Sequence, residues 1–439
     1  MRIVQITPGS GDSFYCENCL RDQALVRAMR AAGHDVLMVP MYLPPTTDGL
    51  AGPDPSPIFF GGLNVYLQQK SALFRRTPRW IDRLLDARWL LGLAGRRAGM
   101  TSARDLGETT LSVLRGEDGR QTKELRRLTD WLGEQGKPDV ICLSNALLAG
   151  LIRSLKARLG GRVVCLLQDE DEFLDSLEGR DRQTAWGVLA ERAAEADALV
   201  ATSRYYADLM RGRMGIAPDK LQVVYSGVAV DDYSPDQRPP DRPTIGFLSS
   251  MCHRKGLDIL VEALAILKQD PAFRDVALRV AGGKTAADDA YLDGVRGSLG
   301  RHGLTGDVEF LANLPFHQRV GFLRTLSVLS VPERVGEAGG RYILEALACG
   351  VPVVQPANGI SVELLAQTGG GVLYEPNDPR HLAEALRNVL TDTNLRRELG
   401  AAGRRAVVQR FDVKRTAAEL LGVFQKVQAP VRKDRDCAD

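Results

Sequence analysis

The chain is short of several things that would give it an easy class. It has almost no net charge: 57 Lys and Arg stand against 55 Asp and Glu, a formal +2, so charge gives no reason to expect a nucleic-acid partner. It has no apolar run near the roughly 20 residues that span a bilayer. It opens directly on the strand-like residues 2–6, with no basic–apolar–small pattern, so no secretory leader is expected. Its seven cysteines are scattered, and Cys142, Cys165 and Cys349 lie in apolar stretches, which fits a reducing compartment, the cytoplasm. Cys16 and Cys19 form a lone C-x-x-C with no second pair at hand, a weak metal signal. No internal repeat is present.

What is there is ordinary for a globular protein: 439 residues, 44% hydrophobic and 26% charged, a length that suggests two domains or more. Residues 2–7 read as a strand, followed by a turn with Gly9 and Gly11, a helix over 17–32 and a strand over 35–39. A dinucleotide-binding turn is excluded, because Phe14 stands where the third glycine belongs and no acid ends the second strand. Residues 44–137 are the least regular. Five prolines between 44 and 57 mark a long loop, 59–67 suits a short strand, and 80–99 suits an Arg-rich helix. That helix would suit an acceptor-side or peripheral membrane-surface element. Asp82 and Asp86 dilute its basic face and favour a helix packed on a sheet.

Regular strand–helix alternation returns with strands over 139–143, 163–167 and 198–202. The acidic run Gln168, Asp169, Glu170 and Asp171 follows a strand's carboxyl end, where it would either face a cleft or sit in a solvated loop. The proline-rich stretch 234–243 reads as an interdomain linker. Beyond it come strands over 244–248, 276–281, 308–311 and 326–331, a helix over 257–268, and closing helices over 379–390, 394–410 and 413–427. Gly283, Lys284 and Thr285 mimic the end of a phosphate-binding P-loop, but Leu278 stands where its first glycine belongs. The charged tail from 430 is expected to be disordered.

The most informative stretch is 329–374. It reads strand, polar loop, helix, strand, a βαβ unit of the kind that builds parallel sheets. The loop holds Glu333, Glu337, Gly339 and Gly340, the helix opens at Arg341, and Glu345 follows on it. Bare glycine amides at a helix start favour an anion. The loop leaves a strand's carboxyl end, where open α/β sheets bind ligands. An anion cradle flanked by two hydroxyl-seeking carboxylates suits a sugar nucleotide.

This stretch resembles the retaining glycosyltransferases of family 4, group 1. Their pattern of two glutamates with seven residues between them, then Ala-hydrophobic-Ala-x-Gly-x-Pro-Val-Val, is matched by Glu337 and by Glu345 to Val354. Lys255 and Gly256 match the second half of the family's phosphate loop, while Ser249 and Ser250 replace the expected Gly-Arg. Ser226, Gly227 and Val228 stand where the family has Asn-Gly-Val.

The resemblance implies an α/β protein of the GT-B fold, with two Rossmann-like domains facing across a cleft. The first, over 1–236, carries the acceptor side. The second, over 237–411, binds the nucleotide sugar, and a helix over 412–428 crosses back. It implies a nucleotide-diphosphate sugar as donor, a glycan, lipid or small-molecule acceptor, and neither a metal nor a resident cofactor. Glu337, Lys255 and Arg254 would be catalytic, with Arg254 replacing the missing arginine. Glu345, Gly339, Gly340, Arg341, Gly11 and Ser250 would bind the donor: Glu337 at the sugar hydroxyls, Glu345 at the ribose. A binding protein without turnover, motivated by Ser250, and an epimerase or phosphorylase on the same fold are the alternatives.

Overall fold

The computed structural model describes residues 1–8, 17–41, 59, 103–235, 240–312 and 314–429. Gly11, the 80–99 helix, the tail from 430 and most of the 59–67 strand lie outside these residues, as do 236–239 of the linker.

Strands β1 (Arg2–Thr7), β2 (Asp35–Pro40), β3 (Val140–Leu143), β4 (Arg162–Leu167), β5 (Ala198–Ala201) and β6 (Leu221–Val223) form one sheet in the order β2-β1-β3-β4-β5-β6. Strands β7 (Thr244–Leu248), β8 (Ala277–Gly282), β9 (Val308–Ala312), β10 (Val328–Leu329), β11 (Val353–Pro356) and β12 (Gly371–Tyr374) form a second, in the order β12-β11-β10-β7-β8-β9. Every pairing in both sheets is parallel. Helices cover both faces of such sheets, so central strands such as β3 and β7 are apolar at nearly every position and buried throughout.

Strand order reverses between β1 and β3 in the first sheet and between β7 and β10 in the second. Loops leaving the carboxyl ends of strands at such a switch point splay apart and leave room for a ligand. In the second sheet the two loops there are 249–256 and 330–340, which hold most of the expected site residues.

The last helix, Val413–Gln428, returns to the first sheet. Its Val413, Ala417, Leu420 and Phe424 join one buried apolar cluster with Ile3, Leu25, Met29 and Val36. Just before it, Val228 and Asp412 pair as a short parallel bridge. Gly227 permits that approach: a Cβ there would lie 2.5 Å from Thr416 Oγ1 and 2.9 Å from the Phe411 carbonyl. Cys142, Cys165, Cys252 and Cys349 are free thiols. Among the described residues no helix is long and apolar enough to cross a membrane.

Candidate active site

The loops leaving the carboxyl ends of the two sheets meet. Ala338 of the second domain packs into the apolar cluster of the first, and its carbonyl accepts a hydrogen bond from Thr202 Oγ1 at 3.1 Å. Glu363 accepts from the backbone amides of Arg204 and Tyr205 at 3.1 and 2.5 Å, and from Tyr225 Oη at 2.6 Å. Arg204 opens the helix Arg204–Met214, and a carboxylate at a helix start is favoured by the helix dipole and by the orphan amides.

Within this seam Lys255 lies at the switch point of the second sheet. Its Nζ is 2.9 Å from Glu333 Oε1 and 3.0 Å from Glu337 Oε2, and all three residues are buried. Two carboxylates therefore share one ammonium. Loss of water, then repulsion from Glu337, push the Glu333 carboxyl well above the usual range. Asp169 faces the same group from the first domain. Dehydration first, then repulsion from Glu337, raise its pKa from 3.8 to about 7, against the attraction of Lys255. Asp169 also holds a left-handed backbone, φ 62°, which an L-residue adopts only at a cost.

Arg254 reaches across the seam. Its Nη2 is 3.2 Å from Asp171 Oδ2 and its Nε 3.7 Å from Glu172 Oε2. The acidic run is not a solvated loop: it turns into a short helix, Glu170–Asp175. Tyr206 fixes that turn by donating to Glu170 Oε2 at 2.7 Å and Asp171 Oδ1 at 3.0 Å, and Glu170 also accepts from the amides of Ala146 and Gln168. Ser250 is half-buried in the turn after β7.

Gly340 caps the helix Arg341–Ala348 with φ 59°, and a Cβ there would meet Ile360 and Leu364 at 2.9 Å. Gly339 lies against Gln168 of the first domain, 3.2 Å from a built Cβ to Nε2. Glu345 is placed differently from Glu337. Fully buried, it meets Arg341 Nε at 2.7 Å, Arg319 Nη2 at 2.9 Å and Tyr233 Oη at 3.0 Å. Lys255, Arg254 and Glu337 thus gather at the seam, while Arg341 and Glu345 form a second cluster with Arg319 and Tyr233.

Sequence reasoning gave no role to Glu333, although its place four residues before Glu337 on the same loop was a usable signal. Arg319 and Tyr233 carried no signal: they reach Glu345 from 26 and 112 positions away.

Two doubly wound parallel sheets, joined carboxyl edge to carboxyl edge and tied by a returning helix, define the GT-B fold. A family profile for glycosyl transferases of group 1 matches residues 231–406, and one for a glycosyl transferase 4-like domain matches 22–227. The D-inositol 3-phosphate glycosyltransferase of Streptosporangium roseum is 30% identical over 320 residues, 69% of this chain and 72% of that protein. That of Jonesia denitrificans is 28% identical over 267 residues, 58% of this chain. The chain spans 62%, 54% and 56% of the lengths of the first three curated relatives it matches. Among solved structures, sucrose-phosphate synthase from Thermosynechococcus elongatus superposes with a TM-score of 0.72 at 18% identity, covering 97% of this chain and 99% of that one. Anabaena HepE in complex with UDP and glucose gives 0.69 at 17%, covering 97% and 100%. The chain belongs to the group 1 glycosyltransferases.

Proposed function

We infer that the chain transfers a sugar from a nucleotide-diphosphate donor to a hydroxyl acceptor, with retention at the anomeric carbon. The observation that carries this reading is the Lys255–Glu337 pair at the switch point of the second sheet, closed over by the first domain. Departure of the sugar leaves negative charge on the diphosphate. A preorganised cation at that point stabilises it more than water does. Lys255 is that cation, with Arg254 beside it and the amides from Gly339 to Arg341 completing the cradle. Glu337 holds sugar hydroxyls. Glu345 takes the ribose hydroxyls once one of its arginine partners gives way.

The acceptor lies on the first domain's side, and the segment 234–243 acts as the hinge for opening. The named relatives act on an inositol phosphate, and HepE holds UDP with glucose. UDP-sugars and polyhydroxyl acceptors are therefore the first to try. The free thiols support a cytoplasmic setting.

A thermal-shift screen of nucleotide sugars tests the donor, since a ligand of the native state raises Tm. A transfer assay with product anomer assignment by NMR tests retention. An inverted anomer would reject retention, and sugar-nucleotide conversion without acceptor would favour an epimerase. A binding protein without turnover remains the second reading, favoured by Ser250 and by the engagement of Arg254 with Asp171. Binding without hydrolysis or transfer to any acceptor class would select it.

A further inference from the structure

The two cations assigned to the donor's phosphates already hold carboxylates. Those on Lys255 come from its own domain, but those on Arg254 come from the opposite one. Asp171 and Glu172 are adjacent in sequence and face Nη2 and Nε of one guanidinium, so they offer it two oxyanions much as a diphosphate would. The presentation of Asp171 is fixed. Tyr206 anchors Asp171 and Glu170, and Glu170 is further held by two backbone amides. Arg254 is largely buried yet its charge is reinforced: nearby Glu172 and Asp171 outweigh its loss of water and raise its pKa.

We propose that Asp171 and Glu172 are an internal competitor for the donor's diphosphate. They hold Arg254 until phosphate oxygens replace them, and they reclaim it when the product diphosphate leaves. This rests on the reading of Arg254 and Lys255 as the phosphate clamp. The exchange also breaks a contact between the domains. Donor arrival therefore loosens the seam at this point, and return of the carboxylates helps expel product. Donor affinity is set by the difference between the two anions, not by the cations alone.

The test is calorimetric titration of the full chain with inorganic pyrophosphate and with UDP, GDP and ADP. Four forms are compared, with Glu172→Gln alone and Lys255→Met as controls: wild type, Asp171→Asn with Glu172→Gln, Arg254→Gln, and all three changes together. Neutralising the two acids tightens pyrophosphate and the bound nucleotide about five- to tenfold. Arg254→Gln weakens both, and in that background acid neutralisation brings no gain. Glu172→Gln alone, at a side chain 40% exposed, gives a smaller gain and serves if the double change unfolds the protein. Unchanged or weaker binding on neutralisation overturns the competition and makes the acids a brace for closure. A gain that persists without Arg254 also overturns it, in favour of a general field. Nucleotide binding that is lost in Lys255→Met but indifferent to the acids rejects the competitor and leaves the transferase reading standing. Failure of every form to bind pyrophosphate or any nucleotide rejects both.

Discussion

Glu337 and Glu345 sit on one strand–loop–helix unit, yet their surroundings are opposite in charge balance. At Glu337 two carboxylates share one ammonium, with Asp169 facing them. At Glu345 two guanidiniums and a tyrosine hydroxyl converge on one carboxylate. Among the described residues, carboxylates outnumber the ammonium in this dry seam, and dehydration with repulsion from Glu337 raises the carboxyl pKa values of Glu333 and Asp169. The first cluster is poised to accept protons or to exchange partners. The second is balanced in favour of its anion and sealed from water. A group of the first kind suits chemistry. A group of the second kind holds a helix in place and yields only to a ligand that replaces what it gives up.

Removing one partner from each cluster should therefore break different things. Glu345→Ala takes from two buried arginines the carboxylate they share, and should cost about 3–5 kcal/mol of stability, read as a fall in Tm and in the denaturant midpoint. Glu345→Gln should cost less, because Tyr233 and Arg341 keep an acceptor. A Glu345→Ala protein as stable as wild type would put the cluster in contact with water and erase the contrast. Lys255→Met should act on rate, lowering transfer by about 10²–10³ as measured by initial rates at saturating donor. A Lys255→Met protein with full turnover would remove Lys255 from the clamp.

The smaller effects concern the surplus charge. Glu333→Gln relieves repulsion against Glu337 and keeps a side chain of the same shape. Above pH 7 its Tm should equal or exceed that of wild type, unlike Glu345→Gln; a marked fall would mean that Glu333 is held as a needed anion. Asp169 gives the pH dependence. Its folded pKa of about 7 lies above its ordinary 3.8, so the folded protein keeps a proton that the unfolded chain releases. The stabilisation this brings is complete below about pH 4 and is lost as pH rises through about 7. Asp169→Asn, uncharged throughout, should gain in Tm relative to wild type between pH 5 and 8. A difference that stays flat over that window would show Asp169 to be ionised in the seam.

These contrasts also show what the sequence could and could not reveal. The βαβ unit around Glu337 and Glu345 was readable, because local strand and helix patterns and a glycine-rich loop lie within one short stretch. The two-sheet architecture and the returning helix followed from the same alternation together with the family likeness. Arg341, four residues from Glu345, was in view as a helix neighbour. Arg319 and Tyr233 were not, since only tertiary folding brings them to Glu345. The acidic run at 168–171 was visible as a run, but its direction depends on Tyr206 and on closure of the second domain against it. Gly11 and the Arg-rich 80–99 segment fall outside the described residues.

The central claim is that Lys255, shared by Glu333 and Glu337 at the second sheet's switch point, belongs to a diphosphate clamp. The most direct test is calorimetric titration of UDP, GDP and ADP into wild type and Lys255→Met, with circular dichroism to confirm that both are folded. Wild type is expected to bind at least one of the three, and Lys255→Met to weaken that binding by tenfold or more. A folded Lys255→Met protein that binds the same nucleotide with unchanged affinity would contradict the claim.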